Sequence, residues 1–220
     1  MPITVGTLTA RTWRAIDPLP PNFRELFERN LPRHAFKPID PERGELQAMG
    51  WVNIRQMLDA RLTMEKVLHG NMILLALRVD RLAINQKLFR ALLAQEIAKQ
   101  IREKRRENLS REERMVIEDK VRLDLIKRTQ PDTAVYEMAW HLETGHILFG
   151  STSERLNLAF ADLFTETFQV TMEPQFPFLR AQRWAETQRL GTELLELLPS
   201  PFSPDAPMDV VEVLPDEDDE

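Results

Sequence analysis

The amino-acid sequence predicts an α+β fold, with antiparallel or mixed sheets built from strand–helix–strand units and a helical hairpin protruding from them. Three features carry that expectation. Short segments rich in Val, Ile, Thr and aromatic residues, bounded by Pro and Gly, recur through the chain and read as strands. Between Asn85 and Arg128 the apolar residues switch to a spacing of three and four, the period of amphipathic helices. The break inside that stretch, "ENLS", is so short that the two helices must lie antiparallel.

The elements follow in order. "ITVGTLTARTWRAI" reads as a strand from Ile3 to Arg14. Two prolines then lead into a helix whose Phe23, Leu26, Phe27 and Leu31 recur at helical spacing. "RHAFKPIDPERGE" is loop chemistry, and "LQAMGWVNI" is a second strand. "NMILLALRVDRL" is a near-continuous apolar run of strand length, expected at the centre of a sheet with both faces covered. From Asn85, a plausible N-cap, Phe89, Leu93, Ile97 and Ile101 step by four and predict a helix to Arg106. Ser110 and Glu113 have the spacing of a capping box, and Ile117, Val121 and Leu125 give the second helix its own stripe. Alternation from Ala134 to Leu142, the turn "ETG" and the return "HILFG" predict a β-hairpin. Ser153 is placed to cap a helix bearing Leu156, Ala159, Phe160, Leu163 and Phe164, after which "FQVTM" reads as a closing strand. "FLRAQRWAETQRLGTELLELL" predicts a last helix, weakened at Gly191, and the Pro-rich acidic end reads as disordered. The expected organisation is therefore a body of residues 1–84 and 129–177, a helical finger of 85–128, a helix of 178–199 and an acidic tail of 200–220.

Composition narrows the class. A hydrophobic fraction of 43% with 29% charged residues describes an ordinary globular chain, and 220 residues suffice for a core. The chain has no cysteine, which excludes disulfides and thiolate metal sites and fits a reducing compartment. No signal-peptide pattern opens it, and the longest apolar run, Met72–Leu77, is too short to span a bilayer. A cytoplasmic protein with no membrane segment is expected. The net charge of −6 conceals an asymmetry, because residues 201–220 hold eight acidic and no basic residues. Ala98–Arg128, by contrast, carries eleven basic against seven acidic residues.

For catalysis the residues offer little. His141 and His146 in "HLETGH" flank a β-turn and lack the one-turn helical spacing of a zinc-binding pair. The carboxylates sit mostly on helical charge faces beside Lys and Arg, with Glu137 and Glu143 isolated, so no spacing suggests a Mg²⁺ nuclease centre. No phosphate-cradling G-x-x-x-x-G-K-[ST] or G-x-G-x-x-G loop is present, nor a G-x-S-x-G nucleophile setting. The expectation is a protein that is not an enzyme, with no catalytic residues, no metal and no cofactor.

The chemistry therefore rests on "AKQIREKRRENLSREER", Ala98–Arg114. Lys99, Arg102 and Arg106 step by three and four, which predicts one helical face turned away from the Phe89–Ile101 stripe. Lys104 and Arg105 widen it, Arg111 and Arg114 open the next helix, and Lys120, Arg122, Lys127 and Arg128 continue toward its end. Interspersed Glu103, Glu107, Glu112 and Glu113 offer the plain alternative, a solvated mixed face. No helix-turn-helix or zinc-finger spacing appears, so any nucleic-acid binding would be directed at the phosphate backbone.

Phe36 and Pro38 ahead of "MGWV" (Met49–Val52), the charged helical hairpin, and the block from Ala134 to Phe164 come in an order that resembles the RdgC family of bacterial recombination-associated proteins. The resemblance runs from about Ile3 to Pro177. It implies an α+β protein without an enzymatic mechanism that binds duplex DNA with little sequence preference. It also implies ring-like dimers with a positively charged hole, and limitation of RecA-type recombinase access to DNA. The hairpin would be the family's projecting finger. Two departures stand out: family members are about half as long again, and their frequent Leu-Pro-Arg-Ala-Phe is replaced here by Leu125, Ile126, Lys127, Arg128 and Thr129. The first keeps the DNA-encircling dimer from being carried over, and the second withholds any role for the missing aromatic.

The combined expectation is sequence-independent binding of duplex DNA in recombination or replication, by a nucleoid-associated cytoplasmic protein with a possible homodimer. Its phosphate contacts would be Lys99, Arg102, Lys104, Arg105, Arg106, Arg111, Arg114, Lys127 and Arg128, with the acidic tail as a competitor for them. The alternative is a protein-interaction or self-association module that uses the same hairpin without DNA.

Overall fold

The computed structural model describes residues 9–190, and within them an α+β fold. The elements run β1 (Arg11–Ala15), α1 (Phe23–Asn30), β2 (Gln47–Val52), α2 (Met64–Val67), β3 (Leu68–His69), β4 (Met72–Arg81), α3 (Gln86–Lys104) and α4 (Arg111–Arg128). They continue with β5 (Asp132–His141), β6 (His146–Phe149), α5 (Glu154–Phe168), β7 (Met172–Pro174) and α6 (Pro177–Gln188). All seven strands join one sheet in the order β2-β4-β5-β6-β1-β7, with the short β3 pairing on β4. Every ladder between these strands is antiparallel. The chain divides into two compact units, Met1–Gln175 and Phe176–Glu220. The second contributes α6, with proline in its first turn and Arg189 closing it at φ 62°. The expected strand before residue 9, the helix beyond 190 and the acidic tail lie outside the described residues.

Alternation along β4 decides how the first unit packs. Ile73, Leu75, Leu77 and Val79 are buried on one face, where they join Trp51, Met138, Trp140 and Phe149 from neighbouring strands. The helices α1 and α5 cover that face with Leu26, Phe27, Phe160, Phe164 and Phe168. Phe149 and Phe160 stack with centroids 3.9 Å apart, and Trp140 meets Phe164 edge-on at 5.0 Å. The polar ends of two indoles are satisfied: Trp51 donates to Thr167 Oγ1 at 2.8 Å and Trp13 to Asn157 Oδ1 at 3.1 Å. The opposite face of β4 is covered locally. Phe36, Val52 and Ala76 cluster there, and Arg78 clamps the buried Asp80 through bonds of 2.8 and 2.7 Å while its guanidinium lies 4.2 Å from the Phe36 ring centre.

"MGWV" acquires a physical reason. The segment His34–Phe36 runs parallel alongside β2 through a bridge between Ala35 and Trp51, with Trp51 N–H donating to His34 O at 3.0 Å and Phe36 N–H to Trp51 O at 2.9 Å. A Cβ on Gly50 would lie 2.5 Å from Phe36 Cα and 2.6 Å from its nitrogen. Only glycine allows backbone to approach backbone that closely.

Two expectations need correction. The closing strand lies later than "FQVTM": α5 continues through Phe168, Gln169 stops it at φ 54°, and β7 begins at Met172. The alternating burial of Phe168, Val170 and Met172 imitates a strand because the helix end delivers Phe168 into the aromatic core. Ser153 precedes α5 but its side chain makes no capping bond; Asn157 Nδ2 instead donates to the Ser151 and Ser153 carbonyls, both at 2.9 Å.

The hairpin is an insertion between neighbouring strands. β4 and β5 pair over ten positions, from Met72↔His141 to Arg81↔Asp132, and the chain leaves the sheet at that last pair to make α3 and α4. At its base Lys127 Nζ reaches Glu42 Oε1 at 2.8 Å, which fastens α4 to the 3-10 turn Pro41–Arg43.

Gly50→Ala should cost about 3 kcal/mol, the upper end of over-packing penalties, because the obstacle is backbone. Urea unfolding of the two proteins measures it, and an unchanged midpoint would contradict the close approach.

Candidate nucleic-acid interface

Residues four apart lie one above another on a helix, and this periodicity sorts the hairpin into stripes. The inner stripe is apolar. Phe89, Leu93, Ile97 and Ile101 of α3 pack with Ile117, Val121 and Leu125 of α4, and Leu109 closes the turn end. Both helices start as expected: Asn85 accepts from the Lys87 and Leu88 amides at 3.0 and 3.2 Å. Ser110 and Glu113 complete the reciprocal capping box at 3.1 and 2.9 Å.

On one flank of this seam lie Leu88, Leu92, Glu96, Gln100 and Lys104 of α3, with Glu112, Val116, Lys120, Asp124 and Arg128 of α4. They line two adjoining concavities of about 610 and 370 Å³. With Glu113, which also lines the smaller one, this side carries four acidic and three basic residues, so it is close to balanced, and Leu88, Leu92 and Val116 are exposed in it. The other flank is different. Stepping by four from the seam places Arg90, Ala94, Ala98 and Arg102 there on α3, and Arg114, Glu118, Arg122 and Ile126 on α4. Its four arginines are all exposed.

The structure does not gather the nine sequence-predicted contacts onto one surface. Arg102 and Arg114 share the arginine flank. Lys104 and Arg128 belong to the balanced flank. Lys99 and Arg111 lie on the outer edges, Lys99 loosely paired with Glu103 at 4.0 Å. Lys127 also points outward at the base, where Glu42 occupies it. Arg106 is a correction: α3 ends at Lys104, Arg105 turns left-handed at φ 50°, and the predicted face of Lys99, Arg102 and Arg106 stops one turn early. The Arg105 and Arg106 amides close the helix on the Arg102 and Ile101 carbonyls, each at 3.2 Å.

Glu113 controls the tip. Its Oε1 receives Lys104 Nζ at 2.7 Å and stands 3.5 Å from the Arg106 guanidinium, so one carboxylate faces two expected contacts. The hydrogen bond from Lys104, then that from the Ser110 amide, hold the Glu113 carboxyl down to about 2. Arg105, Arg111 and Arg114 have no carboxylate partner among the described residues.

Arg90 is the residue sequence reasoning missed, and Arg122, though part of the basic run, is not among the nine expected contacts. Arg122 donates to Glu118 at 3.0 Å and holds its guanidinium 4.9 Å from the Phe89 ring centre. The signal was present as Arg90-x₃-Ala94-x₃-Ala98-x₃-Arg102, a stride of four parallel to the apolar stripe. No group of three or more His, Cys, Asp or Glu residues placed to hold a metal occurs among the described residues. At the β5–β6 turn, His141 Nδ1 accepts from the Thr144 amide at 3.3 Å.

Arg105→Gly should raise stability by about 1 kcal/mol, since glycine relieves the left-handed strain at a small entropic cost. Thermal unfolding should show a rise of about 2–4 °C. Glu113 supports a second expectation. Its depressed carboxyl adds stability that is present above its ordinary value of 4.5 and is lost as pH falls through about 2. Between those limits the parent should lose stability relative to Glu113→Gln; parallel acid-unfolding curves would contradict the ion-pair geometry.

No protein-family model matches this chain, and no curated protein matches it.

Proposed function

We propose that the protein binds duplex DNA through the α3–α4 hairpin, without sequence preference and without catalysis, and that it acts in recombination or replication by occluding DNA from a recombinase. Cytoplasmic, nucleoid-associated placement belongs to the same proposal. The observation that carries it is the set of exposed arginines on and around the hairpin that lack carboxylate partners among the described residues: Arg90, Arg102, Arg105, Arg111 and Arg114. Guanidinium groups suit phosphate oxygens because their paired donors match them, and cation–phosphate contacts release counterions. The resemblance in motif order to RdgC proteins supports the same reading.

A second reading has its own observation. The balanced flank presents Leu88, Leu92 and Val116 in an open groove, which suits a partner's apolar helix face.

A salt series with a random-sequence duplex separates the two. Phosphate binding should weaken log-linearly with salt, and Arg102→Glu with Arg105→Glu should reduce affinity more than tenfold. Glu113→Gln, which keeps the cap and releases Lys104 and Arg106, should tighten binding several-fold. No binding at the lowest salt would overturn the DNA reading. Leu92→Asp should leave DNA binding intact and abolish only a groove-docked partner.

A further inference from the structure

We infer that the duplex lies on the arginine flank of the hairpin, over Ala94 and Ala98, with Arg90 and Arg122 joining Arg102 and Arg114 as phosphate contacts. This assignment rests on the DNA-binding reading and selects one surface for it.

Charge decides first. The arginine flank carries four arginines against the single carboxylate of Glu118, whereas the groove flank is close to balanced. At the tip, Glu113 already holds Lys104 at 2.7 Å and approaches Arg106 at 3.5 Å, so a phosphate there must displace a carboxylate from two cations, whereas on the arginine flank only Arg122, paired with Glu118 at 3.0 Å, has to exchange one. The approach of a polyanion is therefore favoured most on the flank with the largest uncompensated positive charge.

Shape points the same way. Between Arg90 and Arg102 the α3 side chains on this flank are methyl groups, so a wide, stiff polymer can come close to the helix. On the groove flank the duplex would have to cover the exposed Leu88, Leu92 and Val116 with charged phosphates. The rise of a helix separates Arg90 from Arg102 by about 18 Å and Arg114 from Arg122 by about 12 Å. With packed helix axes about 8–10 Å apart, four guanidinium groups frame an area comparable to the span of one DNA groove.

The arginines are also partly arranged in advance. Arg122 is held between the Phe89 ring at 4.9 Å and Glu118 at 3.0 Å, and Arg102 Nε lies 3.4 Å from the Ala98 carbonyl. A side chain already positioned loses less freedom when it meets a phosphate.

The test uses the full chain and a fluorescent random-sequence duplex titrated across a salt series. Arg90→Ala with Arg122→Ala should weaken binding at least tenfold and flatten the salt dependence by about 1.8, since each phosphate contact contributes about 0.9. Lys120→Ala with Arg128→Ala, on the groove flank, should leave the slope at the parent value. Because Arg122 packs on Phe89, Ala94→Glu serves as a second variant: it sets a carboxylate on the exposed floor without removing a contact, and should weaken binding to a similar degree. A parent that binds while both arginine-flank variants bind equally well overturns the face assignment alone. Loss of slope in the Lys120/Arg128 pair overturns it in favour of the groove flank. A parent that ignores duplex at the lowest salt overturns the DNA reading itself.

Discussion

The apolar seam between α3 and α4 is the constraint from which the functional reading follows. Phe89, Leu93, Ile97 and Ile101 meet Ile117, Val121 and Leu125, and burying them fixes the rotation of each helix about its own axis. Once that rotation is set, every other residue is assigned to a flank, an outer edge or the tip. A hairpin whose residues look evenly mixed in sequence thereby separates into a balanced, partly apolar side and an arginine-rich side. The helices contribute only part of this order by themselves, because most helical stability in a protein comes from tertiary packing of an amphipathic face. Packing supplies the rest, and the capping box and Asn85 fix where each helix begins.

The body of the first unit presents this hairpin. Ten paired positions between β4 and β5 make a firm root, and the chain passes directly from that ladder into α3 and back from α4. Lys127 and Glu42 add a tie at the base. The aromatic core and the ladder from Gln47↔Arg81 to Val52↔Ala76 hold β2 against β4, while Ala35 bridges to Trp51 and Phe36 packs close on Gly50. The candidate site resides in an insertion that has its own small core.

Much of this was legible in the sequence because burial leaves a period behind. The stride of four from Phe89 to Ile101 and the Ser110–Glu113 spacing determine the hairpin almost without tertiary information. The ends of elements were less legible. Arg105 halts α3 in a left-handed conformation that arginine does not favour, so nothing in "EKRRE" announces the stop. Phe168 and Val170 alternate as a strand would, although a helix delivers the first of them. The candidate site was legible in composition but not in arrangement. Counting cations singled out Lys104, Arg106 and Lys127, whose side chains face carboxylates in the fold. Arg90 stands outside the dense basic run, and only the rotation of α3 brings it into line with Arg102. Pairing between Lys104 and Glu113, nine positions apart, depends on the turn and has no sequence period to reveal it.

The most direct measurement of the central claim, that the seam sorts charge onto one usable side, is an NMR titration of the labelled protein with a short duplex of mixed sequence. The account predicts that Nε–H signals of Arg90, Arg102, Arg114 and Arg122 and the amides of Ala94 and Ala98 shift together. Signals of Leu92, Glu96, Val116 and Lys120 should stay in place. Shifts confined to that second set, or to the tip, would contradict it.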